Sequence, residues 1–262
     1  MVVSSLMLVA VILLCFIDQG ESFFQVFKLS KNLGRVGEGS PEIEKQLISA
    51  ITADPTNNRL SNSEQILSLV ESLEDSRSGI EQPAISPKVY GRWKLIHTTN
   101  ADTSSPIQRK AVDASKFEIY QDIKVNDKDQ LIVSQVVKFS DTAQLNVDAL
   151  ASTSAYPLPE LQPRQGDGKI MGFNVLGVSF VGEEASPDPT RPDSRINFVF
   201  DEGKFDFNGI NIPYPVPFRW PIFRDAVKGW IDITYLSDKV RIARGNKGTT
   251  FVLVRENAFD NV

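Results

Sequence analysis

The sequence predicts a mainly β fold: an antiparallel up-and-down β-barrel of about eight strands, preceded by two short α-helices. Three observations point there. Apolar residues recur at helical spacing only before residue 80 and alternate from Gly91 onward. Clusters of turn-forming residues separate the alternating runs. Most links between runs are of hairpin length, too short for the crossovers of a parallel sheet, which leaves a two-sheet sandwich as the competing arrangement.

Residues 41–80 form the helical segment. Ser40 can cap a helix opened by Pro41, with Ile43, Leu47, Ile48 and Ile51 on one face, and Asp54-Pro55 ends it. In the second helix Ser61 and Glu64 stand at capping-box spacing, and Ile66, Leu67, Val70 and Leu73 form one stripe. Helices this short need a partner, and the main domain at residues 90–256 offers one. Its first strand begins at Gly91, where Trp93, Leu95 and His97 share a face by alternation. Further strands are expected at 117–125, 131–139, 143–149, 170–181, 195–200, 231–236, 240–243 and 249–254. The turns 126–129, 237–239 and 246–248 separate several of them, while 103–110, 156–169 and 212–224 read as longer loops.

The last loop carries four prolines, which fix φ and remove backbone donors, so it is no central strand. Its remaining positions are mostly apolar. Either it packs flat on the barrel wall, or it forms a rim with Tyr214, Phe218, Trp220 and Phe223 turned outward toward a membrane and Arg219, Arg224 and Lys228 beside them for anionic lipid.

Counting excludes much chemistry. The single cysteine, Cys15, lies in the leader and His97 is the only histidine, so neither a multi-histidine zinc site nor a Cys-His or Ser-His nucleophile pair is expected. No cofactor and no metal are implied. A net charge of −5 and a pI near 5.1 argue against a nucleic-acid partner. Hydrophobic residues make up 41% and charged residues 23%, as in an ordinary water-soluble domain.

Residues 1–22 read as a signal peptide: an apolar run at 6–17 ends at Gly20-Glu21-Ser22, without a basic residue ahead of it. Residues 23–40 open on Phe23-Phe24 and carry Lys28, Lys31 and Arg35 before the first acid, Glu38, which is transit-peptide composition. Such a two-part leader resembles those of plastid proteins in algae with secondary plastids; simple secretion is the alternative.

The run KGWIDITYL at 228–236, then VRIARGNKG at 240–248 and FVL at 251–253, resembles the C-terminal signature of the fibrillins, the plastid lipid-associated proteins. The run GRWKLIHTT at 91–99 is similar to their first barrel strand, with His97 where the family commonly has tyrosine. The likeness spans about residues 43–255. It implies a lipocalin-like barrel, no catalytic group, and association with thylakoids or lipid globules. It also implies that fatty acids, prenylquinones or carotenoids are sequestered or coated. Oligomeric state is not legible.

An eight-stranded barrel holds about one small ligand. Leu95, His97, Phe117, Ile119, Val133, Val137, Phe139, Phe198, Phe200, Tyr235 and Leu253 are the candidate lining, with His97 a polar tip for a head group. Trp93 is expected to close the narrow end under Arg244 or Arg255. Asp232, Arg241 and Arg244 can form ion pairs at the rim, or Arg241 can meet a ligand carboxylate. The competing functions are a calycin-type enzyme using His97, since Glu118 and Asp122 face outward by alternation, and a scaffold for a plastid lipid-pathway enzyme.

Overall fold

In helix α1 (Pro41–Thr52) Leu47 and Ile51 are buried, and in helix α2 (Glu64–Ser76) Ile66, Val70 and Leu73 are buried, the one-sided pattern that the spacing predicts. The computed structural model describes residues 40–53, 63–99, 117–162, 185–214, 217–245 and 248–256. The leader, Ser61, the strand expected at 170–181 and the loop expected at 103–110 lie outside the described residues. Ser40 precedes α1 and its carbonyl accepts from the Glu44 N–H at 3.0 Å, but its hydroxyl bonds to Ser78 Oγ at 2.7 Å rather than capping the helix.

Nine strands follow among the described residues: β1 (Gly91–Thr98), β2 (Glu118–Val125), β3 (Leu131–Ser140), β4 (Ala143–Ser152), β5 (Arg195–Phe207), β6 (Ile210–Pro213), β7 (Lys228–Leu236), β8 (Val240–Gly245) and β9 (Thr250–Arg255). All pairings are antiparallel, and β9 returns to β1. With β4 on β5 and β5 on β7, eight strands form a closed ring and the sandwich alternative is excluded. The ring leaves none of those eight strands with a free edge along its paired length. β6 pairs only with the second half of β5, across a turn at Asn208-Gly209 whose φ values are +52° and +88°. Both positive angles suit the tight hairpin turn that an Asn-Gly pair favours. This hairpin was not among the expected strands.

The inner face of the ring forms one apolar cluster. A second cluster joins Leu47, Ile51, Ile66, Val70 and Leu73 of the helices to Ile96, Tyr235, Val240, Ile242, Val252 and Val254. The helices therefore cover the outer face of β7, β8, β9 and β1, each buried aliphatic side chain stabilising the contact by about 1.5–3 kcal/mol before chain entropy is counted.

Two β-bulges decide which way key side chains point. The register passes from Leu95↔Leu253 to His97↔Val252, so Ile96 and His97 both stand opposite Val252, on the helix-covered side. It passes likewise from Ile233↔Ala243 to Tyr235↔Ile242. One extra residue reverses the alternation beyond it. The expectation that His97 and Tyr235 line the interior is corrected: both lie outside the ring, beneath the helices. The Tyr235 hydroxyl donates to Glu44 Oε1 at 2.7 Å and accepts from the Ser40 N–H at 2.9 Å, tying α1 to the barrel.

Candidate functional site

The interior is mostly filled, but a cavity of about 80 Å³ remains in its upper part. Its wall is apolar: Leu95, Val133, Ala149, Phe198, Phe200, Ile231, Ala243, Phe251 and Leu253, with Gln121 and Gln135 as the polar members. Of the expected lining, Leu95, Val133, Phe198, Phe200 and Leu253 lie on this wall. Ile119 and Val137 belong to the surrounding core, and Phe117 and Phe139 pack edge to face with centroids 5.3 Å apart, outside the cavity wall. Gln121, Gln135, Gly229 and Gly245 were missed, because polar and small residues add nothing to an apolar alternation. Gly229 is required: a Cβ there would lie 2.7 Å from Phe198 Cζ, so glycine lets that ring lie across the seam between β5 and β7.

The opposite end of the ring is sealed. Trp93 is fully buried and donates its indole N–H to the Val89 carbonyl at 2.8 Å, fixing it to the short 3-10 turn Pro87–Val89. Arg255 lies over the indole at 4.2 Å and donates to the backbone carbonyls of Lys88, Tyr90 and Asp238. Arg244, the other arginine considered for that position, instead grips Glu74 of α2 at 2.9 and 2.6 Å on the outside. Asp232 pairs with Arg195 at 2.7 and 2.8 Å, an outward contact between β5 and β7.

Among the described residues Arg241 takes part in no rim ion pair. It faces Leu253 in the register, hence inward, and is fully buried with its guanidinium 5.1 Å from the Trp93 ring. Its Nη2 donates to Gln121 Oε1, while Nε and Nη1 have no hydrogen-bond partner among the described residues. Burial first, and the Arg255 charge second, lower its pKa to about 9, which leaves it charged at neutral pH. Gln121 and Gln135 join the cavity to this cation, with Gln121 Nε2 donating to Gln135 Oε1 at 3.4 Å.

At the other end the proline-rich segment folds back as a plug. Tyr214 is 6% and Phe218 2% exposed, whereas Trp220 is 62% exposed. Tyr214 stacks on Phe218 at 5.5 Å, Phe218 meets Phe200 at 5.7 Å, and Phe200 meets Phe198 at 5.4 Å, an aromatic column running from the plug to the cavity wall. Gly203 makes room for it, since a Cβ there would lie 2.7 Å from Tyr214 Cβ. The outward rim expected of Tyr214, Phe218 and Phe223 is corrected: the first two are buried and Phe223 packs partly against the core. Ile210, Ile212 and Ile222 join Trp220 as the exposed large hydrophobic residues of the described chain. The nearby cations are paired, Arg219 and Arg224 with Asp201 and Lys228 with Asp225, so they offer less free charge than the sequence suggests.

A closed antiparallel ring sealed by a Trp-Arg stack, with an apolar cavity inside and helices outside, defines a lipocalin-like barrel protein. The family model of the fibrillins (PAP_fibrillin) matches residues 41–254, and the chain belongs to that family. It is 37% identical, over 76% of its length, to "Probable plastid-lipid-associated protein 12, chloroplastic" of Arabidopsis thaliana, and spans 39% of that relative. It is 25% identical to "Light-induced protein, chloroplastic" of Solanum demissum, over 82% of this chain and 68% of that one. Identity to the "Chromoplast-specific carotenoid-associated protein, chromoplastic" of Cucumis sativus is 26%, over 74% of this chain and 61% of that one. No solved structure matches.

Proposed function

We propose that this chain is a non-enzymatic plastid lipid-binding protein that takes part of a slender apolar chain into its barrel. The observation that carries the reading is the apolar cavity inside the closed ring, joined by Phe198 and Phe200 to an aromatic plug at the mouth. Its 80 Å³ corresponds to space for about six water molecules, enough for a segment of an acyl or prenyl chain and too little for a whole carotenoid. The names of the relatives, lipid-associated and carotenoid-associated, agree with lipid as the partner. Their chloroplastic and chromoplastic descriptions, with the two-part leader read from residues 1–40, support the plastid as the compartment. Exposed Ile210, Ile212, Trp220 and Ile222 suit contact of the mouth with a thylakoid or lipid-globule surface.

The enzyme reading loses its acid-base group, because His97 is outside the ring and no acid or histidine lines the cavity among the described residues. The test is extraction of the purified protein with its native lipid, followed by mass spectrometry. An acyl or prenyl compound at about one per chain supports the reading; protein that copurifies with none, and takes up none from plastid lipid extract, refutes it.

A further inference from the structure

We propose that Arg241, with Gln121 and Gln135, is an internal anchor for a carboxylate, so that the ligand is a fatty-acid-like chain bound head inward. The inference rests on the lipid-binding reading and names the chemical class of its ligand. Burying a guanidinium without a counter-charge is among the costliest arrangements a fold can hold. Elsewhere the described residues avoid it. Arg92, Arg195 and Arg244 each meet a carboxylate, and Arg255 is matched by three backbone carbonyls. Arg241 alone among these is fully buried, and among the described residues no acid pairs with it.

Packing does not explain it. Arg255 already covers the Trp93 ring from the closer position, 4.2 Å against 5.1 Å, so sealing the barrel end does not need a second cation. Arg241 instead stands between that seal and the cavity. Its one side-chain partner, Gln121, is on the cavity wall, and Gln135 is beside it in an otherwise apolar lining. Arg241 is not itself on the cavity wall but is reached through Gln121, so the hollow is greasy along most of its lining and polar at the Gln121–Gln135 side that leads to the cation. An entering carboxylate would supply the missing charge and acceptors for Nε and Nη1, with its chain against Leu95, Val133, Phe198 and Leu253. A quinone or alcohol supplies an acceptor but no charge.

The experiment is calorimetric titration of the full chain with dodecanoic acid, dodecan-1-ol, methyl dodecanoate and dodecyl phosphate at neutral pH. The acid is expected to bind about ten- to a hundredfold more tightly than the alcohol or ester, the range for a hydrogen bond to a charged group. It is also expected to bind at least as tightly as the bulkier phosphate. Arg241→Gln is expected to abolish the acid preference while leaving alcohol binding in place. Gln121→Glu keeps the side-chain shape, places a carboxylate against Arg241 and is expected to abolish the preference with the fold intact, so it decides the matter should Arg241→Gln fail to fold. Equal binding of acid and alcohol, or a preference that survives Gln121→Glu, overturns the anchor while leaving lipid binding standing. A phosphate bound more tightly than the acid overturns the carboxylate assignment. Binding of no probe at all refutes the lipid-binding reading itself.

Discussion

His97 is predicted to make this protein acid-labile in a defined window. Its side chain is 1% exposed and neither ring nitrogen has a hydrogen-bond partner among the described residues, so charging it would put an uncompensated cation between the barrel wall and the helices. Burial lowers its pKa from 6.5 to about 4. The unfolded chain then takes up a proton that the folded chain refuses, so the contribution to stability is complete above pH 6.5 and is lost as pH falls toward 4. A difference of that size corresponds to about 3 kcal/mol across the window. Urea unfolding of the wild type and His97→Leu, at steps from neutral pH to pH 4, isolates the contribution of the imidazole, because the carboxylates titrate alike in both. The wild type should lose about 3 kcal/mol more than the variant. Because the chain has one histidine, its imidazole proton resonance reports the same pKa directly. Parallel pH profiles, or a resonance titrating near 6.5, would refute the reasoning.

Other substitutions test neighbouring parts of the account. Tyr235→Phe removes the hydroxyl that bridges Glu44 and the Ser40 N–H; it should cost about 1–3 kcal/mol, speed amide exchange in α1 and leave lipid affinity unchanged. A loss of affinity without a loss of stability would return Tyr235 to the interior. Trp93→Ala should cost about 3–5 kcal/mol in chemical denaturation and reduce ligand affinity far less, since Trp93 seals the end away from the cavity. Arg241→Met removes an unpaired buried charge and should raise the unfolding free energy of lipid-free protein by about 1–4 kcal/mol. A lower melting temperature in the absence of lipid would mean that the charge is satisfied in some other way.

Alternation after Gly91 located seven of the ring's eight strands well, because a half-buried strand writes its two faces directly into sequence. It failed where the ladder gains a residue. The apolar residues on both sides of Ile96–His97 and Thr234–Tyr235 read as unbroken strands, and nothing in their composition marks the bulge that turns His97 and Tyr235 outward. The second half of β5 was missed because Asp201, Glu202, Gly203 and Lys204 interrupt the pattern, although Asn208-Gly209 carried a strong hairpin signal. Arg241 shows the limit for the site. A charged residue on a strand reads as outward or at a rim, and only the register against Leu253 reveals that it points in. The aromatic loop was equally ambiguous, since proline content tells that it is not a central strand but not which rings it buries.

The central claim is that the inside of the ring, and not its exposed apolar rim, holds the lipid. Ala149 is a small residue on the cavity wall, and Ala149→Phe fills that space from within. Titration with a fluorescent polyene fatty acid should show at least about a tenfold loss of affinity for Ala149→Phe, in protein that still unfolds cooperatively, and little change for Trp220→Ser at the rim. Unchanged binding by the filled barrel, or loss only on changing Trp220, would contradict the account.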